Sequence, residues 1–455
     1  MIDLGIPIND DIVCAVLTVL LVLGLAGTLT ITKRRTGLMI TPVTLFFSFA
    51  TVHAISGRYT AFLTARFTFV NEGTLEPFVN QSFCIISVGL ICCFVTYMLV
   101  PFYPSGMANL LGRMASPGID QQIRTRSIIL IAIAIPLIVV GLQQLGGIPL
   151  LSGNIRQDRY LQNFLPEYRF DNFMVNRGRE MIVIPSVALA MRWFAGRRSV
   201  VDALFVLIAF VSCLLTAIRS PILTGVLIGL VLLIWRRRAG KVAVTVAAIS
   251  MGLIASEVGL GDADPRATQV PMLERIGADF VEVRDLGWIL MKQDERQLGT
   301  TFLAGLLPIP SFASDFTEEH HLRTVTLRAV GIPLTAAHGG LRITISGEWF
   351  INFGWAGVIV GGLIFGWMCS RFTRMFHVLR KSPEAYPVGA LVLACAWVSF
   401  SFMVYLSGSA VGGTLKTYAA VILALSLRLR RTERLGQFAF ATLRGAALAH
   451  ENRSL

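Results

Sequence analysis

The sequence predicts an all-α polytopic membrane protein with about eleven transmembrane helices and one long, partly helical outer loop. Three observations predict this class. Apolar residues make up 54% of the 455 residues and charged residues only 15%, which is more apolar sequence than a water-soluble chain of this length can bury. Apolar runs of membrane-spanning length recur along the chain. Basic segments separate alternate runs, as expected of a membrane protein with a defined orientation.

The spans are predicted from the length of each apolar run, since a helix needs about 20 apolar residues to cross the bilayer core. The first four runs are near Asp11–Ile31, Gly37–Ser56, Ser82–Pro101 and Ser127–Gly146. Seven more follow: Met181–Ala195, Val200–Ile218, Pro221–Trp235, Val242–Val258, Trp349–Cys369, Val388–Leu406 and Val411–Leu427. The fifth and seventh runs of the chain, Met181–Ala195 and Pro221–Trp235, are short. The first run follows an acidic segment, so we expect it to stay as a helix rather than to be cleaved as a signal peptide.

Lysine and arginine in the short connections predict the orientation, because cytoplasmic loops are enriched in both. The basic segments are Lys33–Arg35, Arg124–Arg126, Gly196–Arg198, Arg236–Lys241, Arg371–Lys381 and the tail Arg428–Arg434. Eleven spans place the N-terminus outside and a tail of residues 428–455 in the cytoplasm. We expect a single transmembrane domain over residues 1–455. The net charge of +13 then belongs largely to inside loops, and nucleic acid is not an expected partner.

Two outer loops are long enough to form a site, namely residues 147–180 and residues 259–348. Apolar residues recur at helical spacing over Pro271–Gln293. This pattern predicts an amphipathic helix on the outer membrane surface or against the bundle. The segment Thr301–Phe312 is apolar but too short to span, and prolines interrupt it. It is predicted to be either a re-entrant or interfacial segment or a buried loop.

The outer loops contain many arginines and almost no lysine. A guanidinium donates two parallel hydrogen bonds to a phosphate and keeps its charge at any relevant pH, so these cations suit a lipid-linked diphosphate at the membrane surface. The outer arginines include Arg156, Arg159, Arg177, Arg328 and Arg342, with Arg219 in a tight turn. An arginine-rich composition is the alternative explanation, because the inside loops are rich in arginine as well.

Arg219 lies in the turn before the short seventh run, Pro221–Trp235. That run is about 23 Å long at 1.5 Å per residue, against a bilayer core of about 30 Å. The turn is therefore expected to lie below the outer surface. A cation at that depth needs a polar cavity or a partner, unless its side chain extends back to the headgroups.

His338 and Glu348 are the two acid–base candidates. Both precede the ninth run, at the height where a lipid-linked substrate presents its sugar, and either residue suits removal of a proton from an attacking hydroxyl. A plain surface role for His338 stays open. For Glu348 the alternative is structural, either pairing with Arg342 or favouring the start of a helix.

No metal or cofactor is expected from the remaining residues. The seven cysteines all fall inside apolar runs without metal-ligand spacing, which predicts neither a disulfide nor a zinc site. The sequence also lacks the common nucleotide-binding and hydrolase motifs. An enzyme of this kind must therefore use a substrate that arrives already activated.

Two motifs in the long loop carry a family resemblance. They are GTTFLAGLLPIP (Gly299–Pro310) and SGEWFINFGWAGVIVGGLIFG (Ser346–Gly366). In this order they resemble motifs of the bacterial oligosaccharide repeat-unit polymerases, the Wzy or O-antigen polymerase family. The turn TAIRSP around Arg219 is similar to a turn of that family, and Arg328 to Gly339 fits its pattern of Arg, ten residues and Gly. The basic residue that often follows the proline of the first motif is absent, since Ser311 stands there.

The resemblance implies a GT-C-like polymerase/ligase bundle in the bacterial inner (plasma) membrane, with the long loops in the periplasm. Its activity would be that of a metal-independent glycosyltransferase, which transfers a growing glycan from undecaprenyl diphosphate to a sugar hydroxyl of another undecaprenyl-diphosphate-linked repeat unit. Expected partners are that lipid-linked oligosaccharide, membrane lipid and a polysaccharide chain-length regulator, with no cofactor. On this hypothesis Arg177, Arg219, Arg328 and Arg342 stabilise the leaving diphosphate, while His338 or Glu348 orients or deprotonates the acceptor hydroxyl.

Three other functions compete with this one. An O-antigen ligase uses the same donor but delivers the glycan to lipid A core. A lipid-linked oligosaccharide flippase or transporter is the alternative outside enzymes, although coupled transporters usually carry acidic residues near the membrane midplane and the predicted spans offer few. A peptidoglycan glycosyltransferase ranks third, because its motifs are not found.

Overall fold

The computed structural model describes residues 11–61, 72–101, 117–148, 169–194, 199–216, 282–292, 296–307, 314–332, 341, 343–381, 420–421 and 424–425. Within these ranges the chain is helical and contains no strand. The helices are α1 (Asp11–Thr36), α2 (Pro42–Thr60), α3 (Glu72–Leu99), α4 (Pro117–Gln144), α5 (Arg169–Phe194), α6 (Val200–Leu215), α7 (Glu282–Lys292), α8 (Thr300–Leu306), α9 (Asp315–His320), α10 (Leu322–Ala329) and α11 (Ile345–Lys381).

Four segments of the described helices are long and apolar enough to cross a membrane. They are Asp11–Thr36, Leu75–Leu99, Gln121–Gln144 and Ile345–Arg374. Helices α1 to α6 overlap the first six predicted runs, and α3, α4 and α5 each begin well before the run that they overlap. The structure thus agrees with an all-helical, membrane-embedded protein. The predicted runs Pro221–Trp235, Val242–Val258 and Val388–Leu406 lie outside the described residues.

Helix α3 is the centre of the larger of two apolar clusters. The cluster combines buried side chains of α1, α2, α3, α7 and α11, among them Leu21, Phe47, Phe83 and Leu286. Glycines bring α11 and α3 together: an ideal Cβ on Gly362 would lie 2.8 Å from Cβ of Cys92. Small residues of this kind allow the close backbone approach on which helix association in lipid depends.

Polar side chains fix the end of α3 near Leu99. The Tyr97 hydroxyl lies 2.6 Å from the Thr32 hydroxyl on α1 and donates to Thr373 on α11 at 3.0 Å. The Arg35 guanidinium donates to the carbonyls of Tyr97, Met98 and Val100 at 2.8–3.1 Å. These are the carbonyls that a helix end leaves without intrahelical partners. Helices α1 and α3 therefore run parallel, since both end here.

The second apolar cluster joins α4, α5 and α6 through residues such as Ile138, Val175 and Ala209. At its polar end, Asp202 is fully buried and accepts hydrogen bonds from Arg124 at 2.6 Å and from Arg192 at 3.4 Å. A buried carboxylate is tolerated when cations and hydrogen bonds satisfy it. Asp202 was one of the few acidic residues in the predicted spans, and in the structure it links three helices.

Helix α11 is not the continuous span that the sequence predicts over Trp349–Cys369. At Gly354 the backbone takes φ 63° and ψ −152°, a combination open almost only to glycine. The chain turns back there. An ideal Cβ on Gly361 would lie 2.6 Å from Cδ1 of Trp349, although in a straight helix these two positions are about 18 Å apart along the axis. We call the two arms α11a (345–353) and α11b (355–381).

Helix α7 packs into the bundle rather than along its surface. An ideal Cβ on Gly287 would lie 3.1 Å from the Val79 nitrogen of α3, and Leu286 contacts Gly347 at the start of α11a. Its apolar residues Val283, Leu286 and Ile289 are all buried. The helical spacing over Pro271–Gln293 allowed a position on the outer membrane surface or one against the bundle. The described part of this segment lies against the bundle.

Candidate functional site

The two sequence motifs that carry the resemblance contact each other in the structure. We call the contact between residues 297–306 and α11a the hairpin junction. Two backbone N–H groups join its segments: the Gln297 N–H donates to the Ile351 carbonyl at 3.0 Å, and the Gly299 N–H donates to the side-chain oxygen Oδ1 of Asn352 at 2.8 Å. Gly299 has φ 88°, a left-handed conformation that favours glycine. The first glycine of the first motif thus starts α8 beside the second motif.

Three buried polar side chains form a chain of hydrogen bonds inside the junction. The Asn352 amide donates to the Thr301 hydroxyl at 2.7 Å and to the Glu348 carbonyl at 2.8 Å. The Thr301 hydroxyl donates to Oε1 of Glu348 at 3.1 Å. None of the three residues is more than 2% exposed. The polar residues of both motifs therefore satisfy one another across the contact.

The other carboxyl oxygen of Glu348 is buried and has no hydrogen-bond partner among the residues that the structure describes. A buried polar atom without a partner costs about 1–3 kcal/mol, so such atoms are rare and often mark a site that a ligand completes. Glu348 lies in the first turn of α11a. Glu348 therefore does lie at a helix start, as the structural alternative supposed. That role does not account for the buried oxygen Oε2, which has no described partner.

Aromatic residues of the two motifs also contact each other across the hairpin junction. Phe302 of the first motif lies with its ring centroid 4.9 Å from Trp349 and 6.1 Å from Phe353, and the latter pair of rings is nearly parallel. Phe353 is 39% exposed. The guanidinium of Arg296 lies over the turn at Gly354, where an ideal Cβ would be 2.7 Å from Cζ. Aromatic faces, a carboxyl and a cation are thus present within the two segments that meet at the hairpin junction.

The start of α11a lies deep in the bundle. The Ser346 side chain is against Gly89 of α3, where an added Cβ would collide with it. Within the apolar segment Leu75–Leu99, Gly89 is about 21 Å from one end and about 15 Å from the other, at 1.5 Å per residue. This position is deeper than the surface height at which the sequence places Glu348.

A second buried acid–base pair escaped the sequence analysis. Nδ1 of His53 on α2 lies 3.1 Å from Oε2 of Glu282 on α7, and both side chains are less than 10% exposed. The contact is not an aligned hydrogen bond, since the same oxygen lacks a hydrogen-bond partner in the described part of the chain. No sequence signal pairs the two residues, because more than two hundred residues, α3 to α6 among them, separate them along the chain.

Two of the predicted site arginines are described. Arg177 on α5 pairs with Glu180 at 2.6 Å, and its guanidinium lies over the Phe173 ring. Arg328 on α10 pairs with Glu319 at 3.3 Å, with both side chains more than half exposed. Neither has a described contact with the hairpin junction. The predicted site residues Arg156, Arg159, Arg219, His338 and Arg342 lie outside the described residues.

The fold and the site define a membrane-embedded helical protein in which a helical arm that folds back at Gly354 carries a buried carboxyl. Comparisons with known protein families, curated proteins and solved structures give no match for the chain.

Proposed function

We propose that this protein is a glycosyltransferase of the bacterial inner membrane that polymerises undecaprenyl-diphosphate-linked oligosaccharide repeat units at the periplasmic face. The observation that supports the proposal most is the hairpin junction. The two motifs that resemble the Wzy family are separated in sequence, yet they meet around Glu348, whose Oε2 lacks a described partner. A chance similarity between unrelated segments does not require such a contact.

In the proposed reaction the acceptor hydroxyl donates its hydrogen bond to Oε2 of Glu348. The hydroxyl oxygen attacks C1 of the donor sugar and forms the new glycosidic bond, and the bond from C1 to the phosphate oxygen breaks. Undecaprenyl diphosphate leaves with the electron pair, while the hydroxyl proton passes to the Glu348 carboxylate. Aromatic faces such as Phe353 suit the apolar face of a sugar. Outer-loop arginines, Arg177, Arg219, Arg328 and Arg342 among them, stabilise the diphosphate as charge develops.

A second candidate function is transport of lipid-linked oligosaccharide across the membrane. It is favoured by the depth of α11a, because acidic residues near the membrane midplane are typical of coupled transporters and Ser346 lies against the middle of α3. The two functions separate in a purified system. A polymerase lengthens lipid-linked oligosaccharide in detergent without any ion gradient, whereas a transporter leaves the chain length unchanged.

The cellular experiment compares Glu348→Gln with wild-type protein in a strain that lacks the native gene. Glu76→Gln on α3 is the matched control, since it makes the same change at an exposed carboxyl. We expect the strain without the gene, and the Glu348→Gln strain, to accumulate lipid-linked single repeat units, while Glu76→Gln restores long chains. Arg328→Ala and Arg219→Ala should shorten or reduce the polymer.

Any of three other outcomes would contradict the proposal. Long glycans that remain on undecaprenyl diphosphate and never reach lipid A core would identify a ligase instead. Repeat units retained at the cytoplasmic face would identify a flippase. Normal polymer from Glu348→Gln, at equal protein level, would show that this carboxyl takes no part in the reaction.

A further inference from the structure

The orientation of the Asn352 side-chain amide follows from its neighbours. The Gly299 N–H can only donate, and it points at one end of the amide from 2.8 Å. That end must be the carbonyl oxygen Oδ1, and the other end must be the NH2 group. The NH2 group has two protons, and the structure offers one acceptor for each, the Glu348 carbonyl at 2.8 Å and the Thr301 hydroxyl at 2.7 Å. All the hydrogen-bond donors of this amide are used.

The direction of the next hydrogen bond is then determined as well. The Thr301 oxygen accepts a hydrogen bond from Asn352, so the hydroxyl proton of Thr301 can point to another acceptor. Oε1 of Glu348 is 3.1 Å away. The hydroxyl therefore donates to Oε1. The neighbouring Thr300 makes no such contact, since its hydroxyl donates to the Gln297 carbonyl at 2.8 Å. Thr301 thus donates a hydrogen bond to the Glu348 carboxyl, whereas the adjacent Thr300 does not.

This order leaves Oε2 as the oxygen of the Glu348 carboxyl that has no hydrogen-bond partner among the described residues. Glu348 is 1% exposed, so bulk water does not compensate for the missing hydrogen bond. The group that best complements such an oxygen is a hydrogen-bond donor that a ligand brings into the junction. On the proposed function that donor is a sugar hydroxyl.

We infer that Asn352 and Thr301 are positioning residues: Asn352 orients the Thr301 hydroxyl, and that hydroxyl donates to Oε1 of Glu348, so that Oε2 alone is directed at the acceptor hydroxyl. The inference rests on the proposed function for the identity of the ligand. The chain of hydrogen bonds from Asn352 through Thr301 to Glu348 does not depend on that function. A role of Asn352 and Thr301 in packing alone would need no hydroxyl at position 301.

The test compares Thr301→Val, which keeps the shape of the side chain and removes the hydroxyl, with Thr301→Ser, which keeps the hydroxyl. Thr300→Val is the matched control at the adjacent threonine. We expect Thr301→Val to lower kcat for elongation of lipid-linked oligosaccharide by about tenfold with little change in KM. Thr301→Ser should recover most of the rate, and Thr300→Val should stay near the wild-type rate. Equal rates for Thr301→Val and Thr301→Ser would overturn the inference.

A second measurement does not depend on activity. The infrared difference spectrum between wild-type protein and Glu348→Gln isolates the stretching band of this carboxyl. We expect the band to shift in Thr301→Val and in Asn352→Leu, and to keep its wild-type position in Thr300→Val. If Thr301→Val accumulates poorly, Thr301→Ala serves in its place. An unshifted band in both variants refutes the positioning role.

The two measurements separate the inference from the proposed function. If wild-type protein fails to lengthen any lipid-linked oligosaccharide while the infrared shifts occur, the positioning role holds and the proposed reaction is wrong. If wild-type protein is active but Thr301→Val matches it in rate and in band position, the reaction holds and the positioning role is wrong.

Discussion

Replacement of Gly354 by alanine has opposite effects on stability in the observed fold and in the fold predicted from sequence. In a continuous helix Gly354 is an interior position, where alanine is more favourable than glycine by about 0.5–1 kcal/mol. In the structure the same residue has φ 63° and ψ −152° and forms the turn between α11a and α11b. The sign of the change therefore reports whether α11 folds back.

The expected magnitude follows from two contributions. A non-glycine residue in this region of backbone conformation costs about 1–3 kcal/mol. The added Cβ would also lie 2.7 Å from Cζ of Arg296, but Arg296 is exposed, so its side chain can move at little cost. We expect Gly354→Ala to lower the free energy of unfolding by about 1–3 kcal/mol, and we expect most of that loss to persist in the double variant Arg296→Ala/Gly354→Ala.

The assay is reversible unfolding of the purified protein by SDS in mixed micelles, followed by tryptophan fluorescence. Gly331→Ala is the control for backbone strain alone, because Gly331 has φ 73° with no atom within 4 Å of an added Cβ. It should cost about 1–2 kcal/mol. If Gly354→Ala is neutral or stabilising while Gly331→Ala is destabilising, the hairpin is wrong and α11 is a straight span.

Two further predictions concern buried polar contacts. Tyr97→Phe removes the hydroxyl that joins Thr32 and Thr373, and it should destabilise the protein by about 1–2 kcal/mol in the same titration. Asp202→Ala removes the buried carboxylate that both Arg124 and Arg192 contact, which should cost about 3–5 kcal/mol and sharply reduce the amount of folded protein in membranes.

Both predictions have internal controls at exposed positions. Tyr59 is 60% exposed, so Tyr59→Phe should change stability by less than about 0.5 kcal/mol. Glu319 pairs with Arg328 where both side chains are exposed, and Glu319→Ala should cost about 0–1 kcal/mol. A loss for either exposed variant equal to that of its buried counterpart would show that the described contacts do not determine stability.

The membrane class and the first six helices were predictable because each depends on local composition. A run such as Val200–Ile218 buries its own backbone hydrogen bonds when it becomes a helix, and lipid covers its apolar side chains. Neither requirement refers to another part of the chain. Helices α3, α4 and α5 begin before the predicted runs, because an apolar run excludes the polar residues of their first turns. In the structure Asn80 accepts a hydrogen bond from Arg58 of α2, and Arg177 pairs with Glu180 of its own helix.

The candidate site was predictable in part. Glu348 stood out as an acidic residue at the start of an apolar run, and the two motifs were recognised separately. Their contact was not predicted, because hydrogen bonds such as Gly299 to Asn352 join segments about fifty residues apart. The pair of His53 and Glu282 lies still further apart in sequence and belongs to no motif.

Sequence alone determined that the chain is helical and membrane-embedded, since the solvent preference of an apolar run is a property of that run. Tertiary structure alone decided the turn at Gly354. Glycine is equally common in straight membrane helices and in turns, and only the packing of Trp349 against Gly361 distinguishes them. That turn brings α11a back against α11b with its first residues at mid-bundle. There Asn352 donates to the Thr301 hydroxyl, which donates to one carboxyl oxygen of Glu348, and the other oxygen is left without a described partner.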